Sequence, residues 1–248
     1  MFYRFSYLAK SMQIGSFFFF LLSTVPACTD KTSKNEADLI VPRRTTSIKI
    51  DGVLDEQAWK DAARTGFLMR SDGKEPARQR TEARLTWDDE NLYLAFECED
   101  EDIFSSYTRR DEPLYMQEVV EIFFDPDCDR GDYLEFEVSP AGVMFDASFS
   151  ARRKGMKLSF NPSVQVAVKV DGTLNVRNDQ DQGWTVELGL PFSQMTGRGS
   201  FPPKKGDQWR FNIFRIDKTG QSGEASSFKP TRGDFHDLNA FGTLRFSD

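Results

Sequence analysis

The chain has 248 residues, 39% of them hydrophobic, and its 32 basic and 39 acidic side chains give a formal net charge of −7 at pH 7. This balance argues against nucleic-acid binding, because a site for phosphates requires clustered Lys and Arg. It is compatible with neutral ligands, cations or calcium, and the length fits one sizeable domain behind an export signal.

The N-terminal segment has the pattern of an export signal. Arg4 and Lys10 precede an apolar run that ends near Val25 and is too short to span a bilayer comfortably. Val25–Cys28 resembles a bacterial lipoprotein cleavage box in which Cys28 is acylated, and simple secretion is the alternative. We predict a signal peptide over residues 1–27, a flexible tether over 28–46, and a periplasmic or cell-surface lipoprotein held to the outer membrane by its lipid.

Two cysteines remain in the mature chain, Cys98 and Cys128. If their flanking strands are antiparallel neighbours, the two lie roughly 20 Å apart. A disulfide requires Cα atoms within about 7 Å. The sequence therefore predicts two free thiols.

The rest of the chain alternates between apolar and polar residues in short runs that end at turn residues. Asp55 is predicted to cap a short helix in which Ala58, Trp59 and Ala62 share a face, with Trp59 as a core anchor. The predicted strands cover residues 47–50, 81–87, 92–98, 119–124, 133–138, 143–149, 164–170, 173–177, 184–190, 209–216 and 241–246. This pattern predicts an all-β fold, an antiparallel β-sandwich with one short N-terminal helix, spanning residues 47–248 as a monomer.

Acidic side chains interrupt two of the predicted strands. Glu121 lies among the β-branched and aromatic residues of 119–124, and a carboxylate there must face solvent, a cleft or a partner. In the strand 133–138, Glu135 and Glu137 point away from the apolar face. Tyr115 precedes the first of these strands and is predicted at the rim of the sheet. A rim aromatic beside carboxylates indicates a site for a small polar ligand.

An acidic loop follows the first of these strands. Asp125, Asp127 and Asp129 place oxygen ligands at alternate positions, as in a calcium loop. An EF-hand is excluded because its glycine comes one place late, at Gly131, and Phe136 occupies the position of the bidentate glutamate. A looser calcium site and an ordinary acidic turn both remain open.

Several segments occur in an order that resembles the family 9 carbohydrate-binding modules and their single-domain relatives. The segments are Ile50-Asp51-Gly52 with Trp59, Thr81–Leu85, Trp87-Asp88-Asp89 with Leu92-Tyr93, Val120–Asp125, Trp184–Glu187 with Pro191, Trp209-Arg210 with Asn212, and Phe241-Gly242 with Leu244 and Phe246. Together they cover nearly all of residues 47–248.

The resemblance implies a β-sandwich, often with calcium, in which two aromatic rings clamp the end of a sugar chain. The clamp positions fall on Tyr115 and Phe235, and the acid in the central strand falls on Glu121. A basic sugar-binding residue of the family falls near Glu137. Both clamp tryptophans are replaced, so we expect a ligand bound differently from the plant polysaccharide ends typical of the family.

The resulting hypothesis is a non-catalytic, glycan-binding domain that serves polysaccharide capture or degradation, as an accessory to glycoside hydrolases. Tyr115 and Phe235 stack on the sugar, while Glu121, Glu137 and Arg109 or Arg110 contact its hydroxyls.

Two alternatives remain. One is a b-type haem site for electron transfer that uses Met116 and His236, both of which flank the proposed clamp. His236 therefore also counts among the candidate ligand-binding residues. No Cys-x-x-Cys-His attachment sequence is present, and we do not expect haem. The other alternative is a glycoside hydrolase that uses Glu121 and Glu137 as paired carboxylates.

Overall fold

The computed structural model describes residues 37–220 and 223–248, which form a β-sandwich with one α-helix. In chain order the elements are β1 (Leu39–Val41), α1 (Gln57–Asp61), β2 (Ala63–Phe67), β3 (Met69–Arg70), β4 (Thr81–Trp87), β5 (Asn91–Glu99), β6 (Val119–Asp125), β7 (Tyr133–Val138), β8 (Met144–Phe149), β9 (Gln165–Asp171), β10 (Gly183–Pro191), β11 (Gln208–Asp217), β12 (Glu224–Ser227) and β13 (Gly242–Phe246). Short 3₁₀ turns cover Leu114–Met116, Phe192–Gln194 and Leu238–Ala240. The prediction of an all-β fold with one short helix is confirmed.

The strands form a large and a small sheet. The large sheet has the order β1-β13-β11-β6-β7-β8, with β12 beside β11 and β3 beside β12. The small sheet has the order β2-β4-β5-β10-β9. Neighbouring strands pair antiparallel, except for the parallel pair β1 and β13. β6 lies inside the large sheet between β11 and β7, which fits the β-branched and aromatic residues on both sides of Glu121.

The main core lies between the two sheets. It takes the alternate residues that period-2 patterning assigns to one face, such as Ile122 and Phe124 of β6, Leu134 and Phe136 of β7, and Trp209 of β11. The same alternation brings Arg215 of β11 to this face. Burial of these side chains supplies the main hydrophobic stabilisation of the domain.

A second apolar cluster covers the outer face of the large sheet. Val119, Phe123, Tyr133 and Phe214 project from its strands, and Leu238 and Phe241 close over them from the segment before β13. As a result, every residue of β6 and β7 is buried, on both faces of the sheet. The acidic residues on this outer face are therefore shielded from solvent rather than exposed.

The short helix α1 lies where the sequence predicts it, but a different residue occupies its N-cap. Trp59 is fully buried and its indole Nε1 donates to Glu187 Oε1 at 2.7 Å, so its role as a core anchor is confirmed. The prediction that Asp55 caps the helix is wrong. The N-cap is Glu56, whose side chain forms no capping hydrogen bond, because Glu56 accepts from the backbone N–H of Lys49 instead.

One predicted boundary and two predicted strands differ from the structure. Residues 47–50, predicted as a strand, form no strand in either sheet. The tether predicted over residues 28–46 extends too far, because Leu39–Val41 form β1 and pair with β13, with Leu39 and Val41 buried in the main core. The strand predicted over 173–177 is absent. Residues 172–182 form an irregular loop instead, and β9 pairs with β10, because Asp181 binds Thr173 N and Ile103 N and anchors the loop in a turn.

The prediction of two free thiols is correct for one cysteine. Cys98 is a buried free thiol, and burial raises its pKa to about 12. Cys128 is disulfide-bonded, so the prediction is wrong there. The prediction considered only a disulfide between Cys98 and Cys128. Cys98 lies on β5 of the small sheet, and Cys128 lies in the loop after β6 of the large sheet.

The predicted signal peptide, residues 1–27, and the predicted lipidation site Cys28 lie outside the described residues. Within the described ranges, the helices are too short or too polar to cross a membrane.

Candidate functional site

A cavity of about 540 Å³ opens on the outer face of the large sheet. Its floor is formed by β6, β7, β8, β11 and β12, and its walls come from the turn after β3, the 3₁₀ turn at Leu114–Met116, the loop after β8 and the segment before β13. It is lined by Ser71, Tyr115, Glu121, Glu135, Phe145, Phe149, Arg153, Met156, Ile216, Ala225, Gly233, Phe235 and His236. Rings and carboxyl groups thus meet in one concave surface, the usual composition of a small-ligand pocket.

The two predicted clamp aromatics both line this cavity. Tyr115 is 47% exposed, and its ring meets the Phe145 ring edge to face with centroids 6.4 Å apart. The Phe235 ring stacks on the Phe214 ring, with centroids 4.1 Å apart and planes at 11°. One face of Phe235 is therefore covered by Phe214, which leaves the other face for the cavity.

Three glutamates form a compact cluster, here called the glutamate cluster: Glu121, Glu135 and Glu137. Glu121 and Glu135 line the floor of the cavity, whereas the predicted ligand residue Glu137 is fully buried beside them and does not line it. Glu121 of β6 is directly opposite Glu137 of β7 in the strand register. Each residue contributes a carboxylate oxygen to a group in which all the atoms lie within 4.8 Å of one another. All three side chains are buried. Their closeness follows from the pleat, since Glu135 and Glu137 are two residues apart on one face of β7.

Burial and mutual repulsion raise the pKa values of the glutamate cluster. Burial, followed by the nearby charge of Glu135, holds the pKa of Glu121 well above its ordinary value. Burial, then the charges of Glu121 and Glu135, does the same for the pKa of Glu137. Burial raises the pKa of Glu135 to about 7. Glu121 Oε1 is buried and has no hydrogen-bond partner.

The opposite wall carries Arg153 and His236. The Arg153 guanidinium binds Asp234 Oδ1 through Nε at 3.1 Å and Nη2 at 2.8 Å, so its charge is matched locally. His236 Nδ1 lies 2.6 Å from the Tyr133 hydroxyl, and burial together with Arg153 lowers the pKa of His236 to about 4. His236 is therefore neutral at pH 7. Among the described residues, no Arg or Lys forms a salt bridge with the glutamate cluster.

Other predicted residues lie outside the cavity. Arg109 is exposed and its guanidinium binds Glu112. Arg110 pairs with Asp146, whose strand position is opposite Phe136 and therefore on the face away from the cavity. Met116, the second haem-ligand candidate, is 61% exposed and does not line the cavity that His236 lines.

The cavity also contains residues that the sequence analysis did not select. Phe145 and Phe149 of β8 add two rings to it, and Arg153 supplies its cationic group. Glu135 was predicted on this face but was not selected as a site residue. The alternation of Glu135 and Glu137 on one face of β7 was the available signal for it.

The predicted metal residues do come together. Asp125, Asp127 and Asp129 each place a carboxylate oxygen within 4.8 Å of the others. Asp125 Oδ1 is buried and has no hydrogen-bond partner. Burial raises the pKa of Asp125 to about 7. Arg198 lies at the rim, with Nη2 3.3 Å from Asp129 Oδ2 and Nε 3.6 Å from Asp127 Oδ2.

Comparison with known proteins identifies the family. Residues 50–248 match the family described as carbohydrate family 9 binding domain-like. The chain belongs to this family. The resemblance inferred from the order of its motifs is thereby confirmed.

Solved structures share the fold of this family 9 chain. A proposed carbohydrate-binding protein from Bacteroides uniformis is 16% identical with a TM-score of 0.66, over 84% of this chain and 98% of that one. A family 9 module from Caldicellulosiruptor kristjanssonii, in complex with cellotriose, is 18% identical with a TM-score of 0.59, over 84% and 93%. The family 9 module from the same organism in complex with glucose is 17% identical with a TM-score of 0.58, over 84% of this chain and 95% of that one.

A curated relative of this family 9 chain is an extracellular protein from Arthroderma benhamiae, which is 29% identical over 143 residues. The match covers 55% of this chain and 63% of the relative, so the chain spans less than two thirds of that protein's length.

Proposed function

We propose that the domain is a non-catalytic carbohydrate-binding module that holds a sugar or the end of a glycan in the cavity on the large sheet. The observation that carries this proposal is the meeting of Tyr115, Phe235 and Glu121 in one cavity of about 540 Å³. These residues come from three separate parts of the chain. Family membership and neighbours solved with cellotriose and glucose support the same ligand class.

The composition of the cavity suits a sugar. Aromatic rings offer flat apolar surface to the C–H face of a pyranose, and carboxyl groups accept hydrogen bonds from its hydroxyls. Phe235 is held in place by its stack on Phe214, so its free face requires little ordering on binding. We propose that Tyr115 supplies the second ring from the rim.

The position of the carboxylates favours binding over hydrolysis. A glycoside hydrolase places its two carboxyl groups on either side of the scissile bond. Glu121 and Glu137 are directly opposed residues on one face of neighbouring strands, and of the two Glu121 lines the cavity while Glu137 is fully buried. A sugar in the cavity therefore contacts Glu121 and does not lie between the two acids. The haem alternative has less support, because Met116 lies outside the cavity.

We expect Tyr115→Ala and Phe235→Ala each to weaken oligosaccharide binding by about tenfold. Each change removes a ring contact worth on the order of 1.4 kcal/mol. A glycan array would first identify a bound oligosaccharide, and titration calorimetry would then compare the full chain with both variants.

Phe67→Ala is the matched control. Phe67 is an exposed ring on β2 of the small sheet, 60% accessible and outside the cavity. Its replacement should leave affinity unchanged. Unchanged binding in both cavity variants, with intact thermal unfolding, would remove Tyr115 and Phe235 from the site.

We also propose that Asp125, Asp127 and Asp129 bind a calcium ion that stabilises the loop after β6. The supporting observation is the buried, unpartnered Oδ1 of Asp125 beside two further carboxylates. Calcium takes six to eight oxygen ligands, and backbone carbonyls and waters would complete the set.

Calcium at 100 times its dissociation constant is expected to stabilise the fold by about 2.7 kcal/mol, which raises the melting temperature by several degrees. Scanning calorimetry with added calcium and with EDTA measures this shift. Asp125→Asn should abolish the shift, whereas Asp61→Asn, an exposed change on α1, should preserve it. Equal melting temperatures with calcium and EDTA in the unaltered chain would exclude the site.

Export remains part of the proposal. A signal peptide over residues 1–27 would place the domain outside the inner membrane, where a glycan ligand is available. Acylation at Cys28 requires that its thiol is not the one bonded to Cys128, since Cys98 is free and the chain has three cysteines. Mass spectrometry of the N-terminal peptide tests the lipid directly.

A further inference from the structure

The glutamate cluster is an unbalanced concentration of acid in the ligand cavity. Glu121, Glu135 and Glu137 are 2%, 4% and 0% exposed, and their carboxylate oxygens lie within 4.8 Å of one another. Buried carboxylates are ordinarily paired with a cation. The nearest guanidinium in the cavity, that of Arg153, is already bound to Asp234, and His236 is neutral. Burial raises the pKa of Glu135 and the charge of Arg153 opposes that rise, but within the described residues Arg153 forms no salt bridge with the cluster, so the wall supplies no cation in direct contact with it.

One of these side chains points into the cavity without a partner. Glu121 lines the cavity, is buried, and its Oε1 forms no hydrogen bond in the described structure. A buried acceptor without a partner costs about 1–3 kcal/mol. A ligand group that donates a hydrogen bond at this position would recover that cost.

The surroundings favour an organic cation over a bare metal ion. The cavity of about 540 Å³ is far larger than one ion requires. Phe145 and Phe149 line it, and aromatic rings attract an organic cation through their negative faces. A primary ammonium has three N–H donors, which suits the carboxyl groups of Glu121 and Glu135 on the floor of the cavity.

We infer that the sugar bound in this cavity is an amino sugar whose protonated primary amine lies against Glu121 and Glu135, with Glu137 as their buried neighbour, an inference that rests on the proposed carbohydrate-binding function. The rings of Tyr115 and Phe235 hold the pyranose, and the glutamate cluster selects the amine over a hydroxyl or an acetamide. With a neutral substituent the cluster keeps its protons, whereas an ammonium takes their place and pairs with the carboxylates.

The test compares oligosaccharides that differ only at one substituent. Titration calorimetry at about pH 6.5 would measure a β-1,4-linked glucosamine tetramer, the N-acetylglucosamine tetramer and cellotetraose against the full chain. We expect the glucosamine tetramer to bind at least about tenfold tighter than either neutral tetramer. Its binding should also release protons, seen as a heat that varies with the ionisation enthalpy of the buffer.

Glu121→Gln keeps the shape of the side chain and removes its charge. In this variant the ratio of the affinity for the glucosamine tetramer to the affinity for cellotetraose is expected to fall to about threefold or less. Glu90→Gln, an exposed change in the turn between β4 and β5, is the matched control and should leave the preference intact. The thermal unfolding of each variant shows that it is folded.

The outcomes separate the two proposals. Equal binding of cellotetraose and the glucosamine tetramer would overturn the amine inference and leave carbohydrate binding standing. Binding of cellotetraose that requires calcium in the Asp125→Asn variant as well as in the unaltered chain would assign the glutamate cluster to a metal and also overturn the inference. Binding of no saccharide at all, on a glycan array and by calorimetry, would overturn the proposed function itself.

Discussion

Replacing Arg215 with methionine is expected to lower the free energy of unfolding by about 3–5 kcal/mol, the usual cost of removing one partner from a buried ion pair. Arg215 is 1% exposed between the two sheets. Its Nη2 donates to Asp100 Oδ2 at 2.8 Å, and its Nη1 donates to Thr81 Oγ1 at 3.1 Å and to Glu99 O at 2.5 Å. Methionine fills similar volume but donates to none of these acceptors.

The loss is large because Arg215 serves several carboxylates. Asp100, Glu118 and Asp217 each place an oxygen within 4.8 Å of the others, and all three are buried. Without the guanidinium these groups repel one another in a medium that screens them poorly. Lysine should rescue only part of the loss, because a single ammonium cannot reproduce the fork of donors.

Guanidinium denaturation followed by fluorescence measures this effect. Arg109→Met is the control, because Arg109 forms an exposed pair with Glu112 and its removal should change stability by about 0.5 kcal/mol or less. If Arg215→Met is as stable as the unaltered chain, then protonation alone neutralises Asp100, Glu118 and Asp217, and the prediction is wrong.

Raising the pH from about 6.5 to about 9 is expected to destabilise the fold. Burial, then the charge of Asp100, raises the pKa of Glu118 to about 9. The folded chain therefore holds a proton that the unfolded chain, with a glutamate pKa of about 4.3, has already released. Stability is lost as the pH rises through this window, by about 1.4 kcal/mol per pH unit for each such proton.

His236 changes stability in the opposite direction, and its effect lies below this pH range. Its pKa is lowered to about 4 by burial, so its effect is a loss of stability as the pH falls below about 6.5. Burial also raises the pKa of Glu135 to about 7, which adds to the loss at the lower end of the interval. The melting temperature should fall by about 5 °C or more between about pH 6.5 and about pH 9.

Glu118→Gln isolates this contribution. Glutamine has the same shape and no proton to release, so the fall in melting temperature between about pH 6.5 and pH 9 should be smaller in this variant. Glu90→Gln, which is exposed, should show the same fall as the unaltered chain. Identical pH profiles for the Glu118 variant and the unaltered chain would assign the pH dependence to other groups.

Much of the sandwich could be predicted because local patterning and burial agree. Strands β4, β5, β7, β10 and β11 alternate, so their inner faces could be assigned from sequence alone. Trp59 was recognisable as an anchor by its place on the apolar face of a short helix. Thr173–Arg177 alternates too, yet no strand forms, because Asp181 holds that segment in a loop.

The candidate site was only partly accessible from sequence. Tyr115, Glu121 and Phe235 followed from the order of family motifs, and their common cavity agrees with that selection. Glu135 and the two rings of β8 needed knowledge of which strands are neighbours. The burial of the glutamate cluster depends on the segment before β13 folding over the outer face of the sheet, a long-range contact that no local pattern specifies.

Three consecutive residues of the cavity wall, 234–236, each contact a different part of the fold. Asp234 binds Arg152 and Arg153 of the loop after β8, Phe235 stacks on Phe214 of β11, and His236 bonds to Tyr133 of β7. Such a wall keeps one shape with or without an occupant, so little conformational entropy is lost on association. Differences in affinity among ligands should accordingly appear in how slowly they leave rather than in how fast they arrive.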